Sequence, residues 1–258
     1  MQIVTCCFDY EDRPQFRQLL DVFRHSVKRL MPNVDFVELR PNPPPVEGHR
    51  VHGFLDNTFK LDAWVKHLDN TDQPVIFADC DMLALQSAEH AFDLPFDIAY
   101  TGCPTGYKVP LNGGILMARP TEAGRRFMHN LRIINSVMFH DSNFHEKWRA
   151  KYAGMNQSAF GCLLETDHAG ALIHRYETRE WNAIDCDLRA IRSDTVFLHI
   201  RQRLRDHVLT NMNPGGIGEE AMRLWYAERE LMEPGSTPKE TAPRPRSTAT
   251  SRRRRIRL

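Results

Sequence analysis

Several signatures are missing from this 258-residue chain. No apolar run approaches the ~18–20 residues that a membrane-spanning helix needs. The opening stretch "MQIVTCCFDY" has neither a basic leader nor a long apolar core, so it reads as a strand from residue 2 and not as a signal peptide. Six cysteines are present but none forms a C-x-x-C pair. Cys6 and Cys7 are neighbours in an apolar run, where alternation sends them to opposite faces. That arrangement suits reduced, packed thiols better than a disulfide or zinc framework, and the expectation is a cytoplasmic protein. Phosphate-binding glycine motifs are also absent: there is no G-x-x-x-x-G-K-[ST], and no G-x-G-x-x-G after the first strand. The glycine cluster "PGGIG", 214–218, follows no strand directly and reads as a loop and helix cap.

Charge is nearly balanced, at +1 formally, but unevenly spread. From Glu233 onward eight Lys/Arg face two acids, so the tail carries +6 and residues 1–232 carry −5. A mildly acidic body argues against a nucleic-acid-binding core. The tail is so poor in apolar residues that it is expected to be disordered. It reads as a solvated segment or as an electrostatic tether to an anionic partner or membrane surface. The expected division is therefore a folded unit over 1–232 and a basic tail over 233–258.

Along the body, β-rich runs alternate with helical periodicity. "QIVTCCF", "NVDFVEL", "PVIFAD", "FDIAYT", "GGILMA", "ALIHRY" and "TVFLHI" read as strands. Asp12 and Pro14 begin a helix whose apolar face is Phe16, Leu19, Leu20, Phe23, Val27 and Leu30. "NTFKLDAWVKHLDN", "EAGRRFMHNLRII" capped by Thr121, "MNQSAFGCLLE" and "GEEAMRLWYAERELM" are further helices. "RPNPPPVEG" is a loop. His140 and His145, irregularly spaced for a metal, read as a surface helix. The alternation predicts an α/β fold with a largely parallel sheet.

One segment breaks the apolar logic. "PVIFADCDMLAL" places Asp79 and Asp81 inside an apolar run. On an extended strand these two project to one side, with Cys80 opposite. Two ionised, desolvated carboxylates repel, at several kcal/mol per buried charge to order of magnitude. A hard divalent cation such as Mn²⁺ or Mg²⁺ would relieve both costs. The alternative is that the strand ends at Asp79 and both acids cap the following turn.

An ordered set of segments bears on that choice. "VIFADCDMLAL" resembles the DxD strand of the GT-A glycosyltransferases, the nucleotide-diphospho-sugar transferase superfamily, in particular family 8. "FKLDAWVKHL" is similar to the helix upstream of that strand. "LNGGILMARPT" resembles the family's Asn-Gly-Gly strand, "GMNQSAFG" its acid-Gln helix, and "REWNAI" and "VFLHI" its Trp-Asn and metal-His segments. Together they span about 1–207.

The resemblance implies a single GT-A domain: a Rossmann-like, mixed but mainly parallel central sheet flanked by helices. It implies a metal-dependent hexosyltransferase using a nucleotide-diphosphate sugar, with a UDP-sugar as the expected donor and Mn²⁺ or Mg²⁺ as cofactor. Asp81 and His199 would ligate the metal, with Asp79 ligating it or holding the ribose. Thr5, Cys6 and Cys7 would line the base. Lys60 would face phosphates or sugar, and Asn112, Gly113 and Gly114 would border the sugar. Asn156 and Gln157 would meet sugar or acceptor, the acceptor being a glycan, lipid, protein or nucleic acid. Trp181 reads as core or acceptor wall.

Two departures stand out. Asn156 occupies a place where the family often has Asp, and Asn is no general base. Glu165, Asp185 or Asp187 are the candidate substitutes, unless the transfer needs no enzymic base. In place of the family's Gly-x-x-Lys after the metal His stands "HIRQRLRDH", in which Arg201 and Arg205 supply positive charge suited to phosphate. Two other classes compete: a nucleotidyltransferase, which would want a glycine-rich basic loop after the first strand, and a catalytically silent nucleotide-sugar-binding module.

Overall fold

The computed structural model describes residues 1–8, 14–42, 52–168, 170–184, 187–188, 191–211 and 218–232. Asp185, most of the Pro-rich loop, most of "PGGIG" and the basic tail lie outside these. Eight strands and eight α-helices appear among the described residues. The strands are β1 (Gln2–Cys6), β2 (Asp35–Leu39), β3 (Val75–Ala78), β4 (Met82–Ala84), β5 (Ile98–Gly102), β6 (Leu111–Ala118), β7 (Ile173–Glu177) and β8 (Phe197–His199). The helices are α1 (Gln15–Leu30), α2 (His52–Asp69), α3 (Glu122–His140), α4 (Ser142–Tyr152), α5 (Asn156–Thr166), α6 (Thr178–Trp181), α7 (Gln202–Thr210) and α8 (Glu219–Met232).

Six strands form one sheet in the order β2-β1-β3-β6-β5-β7. β1 runs parallel to β2 and β3, and β5 runs parallel to β7. β6 is antiparallel to both of its neighbours, β3 and β5. This is the mixed, mainly parallel sheet flanked by helices that the sequence predicts. Its strands are apolar on both faces because both faces are covered. Val4, Val75, Phe77 and Leu116 pack against α2, α3 and α5. Ile3, Ile76, Ile115 and Met117 pack with Phe23 and Val27 of α1 and with Trp181 and Phe197. Trp181, 1% exposed, is core.

Three local results correct the sequence reading. The first is at the carboxylates. β3 stops at Ala78, Asp79–Asp81 form a turn, and the second apolar run is a separate strand, β4. β4 leaves the main sheet and pairs antiparallel with β8, with Met82 opposite His199. The extended-strand reading of both acids fails and the alternative, a strand that ends at the acids, is close to what forms, because β3 already has its partners on both sides while β4 has a different one. Cys80 does not face away from the acids, since it lines the same cavity as Asp79 and Asp81. The third concerns His145, placed on a surface helix by the sequence. It lies on α4 but is fully buried; its ring packs edge-on against Phe54 at 5.0 Å and Nε2 lies 2.9 Å from the Gly154 carbonyl oxygen. Tertiary contacts from α2 decide this, and local periodicity does not carry them.

The Thr121 cap forms as expected, its hydroxyl oxygen accepting from the Gly124 N–H at 3.0 Å. Along β6 the register against β5 shifts between Tyr100 and Thr101: Tyr100 pairs with Leu116, but Thr101 pairs with Asn112. The chain between them bulges out of the β5 ladder. Such bulges re-aim side chains beside functional sites. The bulge leaves the Gly114 carbonyl to accept from the Asp79 N–H at 2.9 Å. Gly113 and Gly114 therefore do mark a bulge.

Candidate functional site

The bulge, the β3–β4 turn and the end of β8 meet at the C-terminal edge of β1 and β3. Two cavities open there, of about 340 Å³ and 180 Å³. They share Asn57, Lys60 and Asp79 as a common wall. The larger is lined by Asn112, Gly113, Gly114, Asn156, Gln157 and Arg201, with His199 at its floor. The smaller is lined by Cys6, Cys7, Phe16, Cys80, Asp81 and Arg205.

Asp79, Asp81 and His199 converge on one point: one ligand atom from each lies within 4.8 Å of the others. No other group of three His, Cys, Asp or Glu does so among the described residues. Nε2 of His199 is 3.2 Å from Asp81 Oδ1 and 3.6 Å from Asp79 Oδ2. Two carboxylates and an imidazole are a donor set suited to Mn²⁺ or Mg²⁺. The thiols close by are poor competitors. Burial pushes the Cys6 thiol up to about 12. A hydrogen bond with Cys7, then burial, raises Cys80. Both stay protonated at neutral pH, and the thiolate is the ligating form.

Two cations complete the electrostatics. Lys60 Nζ sits 2.5 Å from Asp79 Oδ1 and 4.7 Å from the centre of the Trp64 ring, one helical turn further along α2. Burial alone would lower the Lys60 pKa, but the charge of Asp79 and its hydrogen bond raise it instead. Arg205 reaches from α7 to within 3.3 Å of Asp81 Oδ2, its guanidinium also 4.9 Å from the Phe16 ring centre. Burial works to raise the Asp81 pKa; His199 and Arg205 outweigh it, and the carboxyl is held below the ordinary range.

The glycines of the bulge have defined neighbours. A Cβ on Gly114 would lie 2.5 Å from the His199 ring. A Cβ on Gly113 would lie 3.2 Å from Gln157 Cγ. Gly114 thus admits the imidazole to the carboxylates. The Gly113 N–H donates to Gln157 Oε1 at 3.0 Å, while Gln157 Nε2 donates to the Tyr152 carbonyl at 2.8 Å. Asn156 Nδ2 donates to the Asn57 carbonyl at 2.9 Å, leaving its buried Oδ1 without a hydrogen-bond partner.

The structure brings Cys6, Cys7, Lys60, Asp79, Asp81, Asn112, Gly113, Gly114, Asn156, Gln157, His199, Arg201 and Arg205 to the walls of these two cavities. It does not bring Thr5, which is fully buried within β1 between β2 and β3. Of the candidate substitutes for an acid at Asn156, the two among the described residues are engaged elsewhere. Glu165 accepts from Lys151 and Tyr152 outside both cavities. Asp187 accepts from the Ile184 N–H at 3.1 Å, closing a local turn.

Sequence reasoning passed over Asn182 and Thr101. Asn182 is fully buried, with Nδ2 2.8 Å from Asn112 Oδ1 and 2.9 Å from Thr101 Oγ1. Its Oδ1 is 3.2 Å from His199 Nδ1. The Trp-Asn dipeptide was the available signal; that the Asn packs behind the histidine is a tertiary fact.

No protein-family model matches this sequence, and no curated protein does. Solved structures do. A glycosyltransferase involved in glycosylating the major capsid of PBCV-1 superposes with TM-score 0.58 at 9% identity, covering 86% of this chain and 98% of that one. The galactosyltransferase LgtC, solved with donor and acceptor sugar analogues, gives 0.50 at 13%, covering 88% and 96%. GlyE of Streptococcus pneumoniae TIGR4 gives 0.51 at 14%, covering 88% of this chain and 64% of the longer GlyE chain. At such identities the likeness is one of fold. The chain has the GT-A fold that these solved glycosyltransferases share.

Proposed function

We propose that the protein is a metal-dependent glycosyltransferase that takes its sugar from a nucleotide-diphosphate donor. The observation that carries this reading is the convergence of Asp79, Asp81 and His199 where the two cavities meet. The smaller cavity, with its neutral thiols and the Phe16 ring, would take the nucleoside. The larger, with Asn112, Asn156 and Gln157, would take the sugar. The diphosphate would lie between, with Lys60 and Arg205 turning from carboxylates to phosphate oxygens. Asp79, Asp81 and His199 would hold Mn²⁺ or Mg²⁺. Bound there, such a cation offsets the charge of the departing diphosphate as a Lewis acid.

Among the described residues Asp79 is the only carboxylate lining the larger cavity, and Lys60 already engages it. That supports a transfer in which no protein carboxylate takes the acceptor's proton, which would pass to the leaving diphosphate oxygen. A UDP-sugar is the first donor to test. The acceptor, of whichever class, would enter over the α4–α5 turn. Among the described residues no helix is long and apolar enough to cross a membrane. The basic tail is proposed as an electrostatic contact to an anionic partner.

The direct experiment is a panel of UDP-, GDP- and TDP-sugars with Mn²⁺ or Mg²⁺, read by nucleotide release. One donor should be hydrolysed or transferred, and chelation should stop it. Tight binding of a nucleotide with Mn²⁺ but no turnover of any donor would instead identify a silent binding module. Binding of neither would end the reading.

A further inference from the structure

The polar groups behind His199 form a chain in which every donor and acceptor can be assigned. It starts from a backbone N–H, which can only donate. Gly114 N–H lies 2.9 Å from Asn112 Oδ1, so that atom is an oxygen. A side-chain amide oxygen can only accept. The Asn182 atom 2.8 Å from it must therefore be the NH₂ nitrogen. The same NH₂ donates to Thr101 Oγ1 at 2.9 Å, whose own O–H is used on the Asn112 carbonyl at 2.9 Å. Asn182 is thereby held with Oδ1 toward His199 Nδ1, 3.2 Å away. Being an acceptor alone, that oxygen requires the imidazole hydrogen on Nδ1. With that hydrogen fixed on Nδ1, Nε2 is the nitrogen that a cation between Asp79 and Asp81 would take, displacing the hydrogen that the carboxylates alone would hold there.

We propose that Asn182 is a positioning residue that fixes the tautomer of His199 so that Nε2 is presented as a ligand. The proposal rests on the metal-site reading above. Asn182 and Thr101 are fully buried and neither lines either cavity of the site, so both act from behind the histidine. Histidine free in water favours the hydrogen on Nε2, the form that cannot ligate through that nitrogen. Without a partner at Nδ1 the ring would therefore favour the non-ligating form. Outer partners of this kind orient a ligating histidine and set its tautomer. The backbone places this one by a strand-like contact: His199 N–H donates to the Ala183 carbonyl at 2.9 Å, next to Asn182. The chain also joins the sugar-side bulge at Gly114 to the metal-side histidine.

The test uses the full chain with ¹⁵N-labelled histidine, His199 being assigned by difference from His199→Gln. Long-range ¹H–¹⁵N correlation with saturating Mg²⁺, which is diamagnetic, reads which nitrogen carries the hydrogen when a cation can compete for Nε2. Wild type should carry it on Nδ1. Asn182→Ala should move it to Nε2 and weaken Mn²⁺ binding, measured by calorimetry, about 10–100-fold. Asn182→Asp keeps an acceptor against Nδ1 but loses the NH₂ given to Asn112 and Thr101, so it should keep the tautomer while lowering stability. A wild-type hydrogen on Nε2 overturns the proposal, as does an Asn182→Ala protein with unchanged tautomer. If the alanine variant does not fold, the wild-type spectrum decides. Wild type that binds no Mn²⁺ yet shows the Nδ1 hydrogen would defeat the metal reading and leave the tautomer assignment standing.

Discussion

Asp81 and Glu228 are both buried carboxylates, 6% and 4% exposed, and each faces one histidine and one arginine. Their surroundings differ in two respects. Glu228, on α8, is enclosed by two bases from α1: Arg29 forks onto both oxygens at 2.6–3.2 Å, and His25 Nδ1 is 2.7 Å away. It lines neither cavity of the site. Asp81 has a second carboxylate beside it, and its cations reach in from a cavity wall. An acid with more base than it needs fastens two helices. A pair of acids sharing a histidine at an opening is arranged for something that arrives later. The same residue types give structure in one place and a site in the other, and stoichiometry and access decide which.

Substitutions at the two places should separate these roles. Asp81→Asn should lower sugar-donor turnover about 10³-fold, the loss of several kcal/mol of charge stabilisation. Its circular dichroism spectrum should stay native. Full activity with saturating Mn²⁺ would remove Asp81 from the site. Glu228→Ala should do the reverse. It leaves Arg29 and His25 without their shared partner and should cost about 1–3 kcal/mol in urea denaturation, with kcat/KM unchanged. A loss of activity there without loss of stability would erase the contrast.

The smallest effect concerns the cavity wall. Ala153 lines the larger cavity at φ 54°, ψ 165°, a backbone region costly for any residue with a Cβ. Ala153→Gly should be neutral or stabilising by up to ~1 kcal/mol. The same change at buried Ala159 in α5 should cost at least ~1 kcal/mol. Thermal melts of both variants make the comparison. A destabilised Ala153→Gly would show that the turn is not strained.

Most of the sheet could be read from the sequence because its strands are covered on both faces. Continuous runs such as "VIFA" and "GGILMA" are what such burial produces. The end of β3 at the acids stayed one of two readings because no Gly or Pro marks it; Asp79–Asp81 punctuate a run whose apolar content does not change. His145 escaped because its burial depends on Phe54 and the Gly154 carbonyl, from other elements. At the site, residues with unusual chemistry for their place were visible: two acids in an apolar run, paired glycines in a strand, a histidine at a strand end. Asn182 was not, since a buried amide behind a ligand looks like any core asparagine until its partners are known. Thr5 lies deeper in β1 than Cys6 and Cys7, because position on a strand does not say which end opens to the cavity.

The pairing of β4 with β8 has a consequence for how the chain acquires its site. Asp79 and Asp81 are made early, beside a strand whose only partner among the described residues, β8, comes after the other seven strands described. Closing so long a loop is slow and entropically costly, and it brings no reward until the two short strands meet. During synthesis the main sheet can gather while the acids still lack their histidine. The last of these strands is also the one that completes the triad, so a shortened chain ending before Phe197 could build the sheet and still lack the proposed metal site.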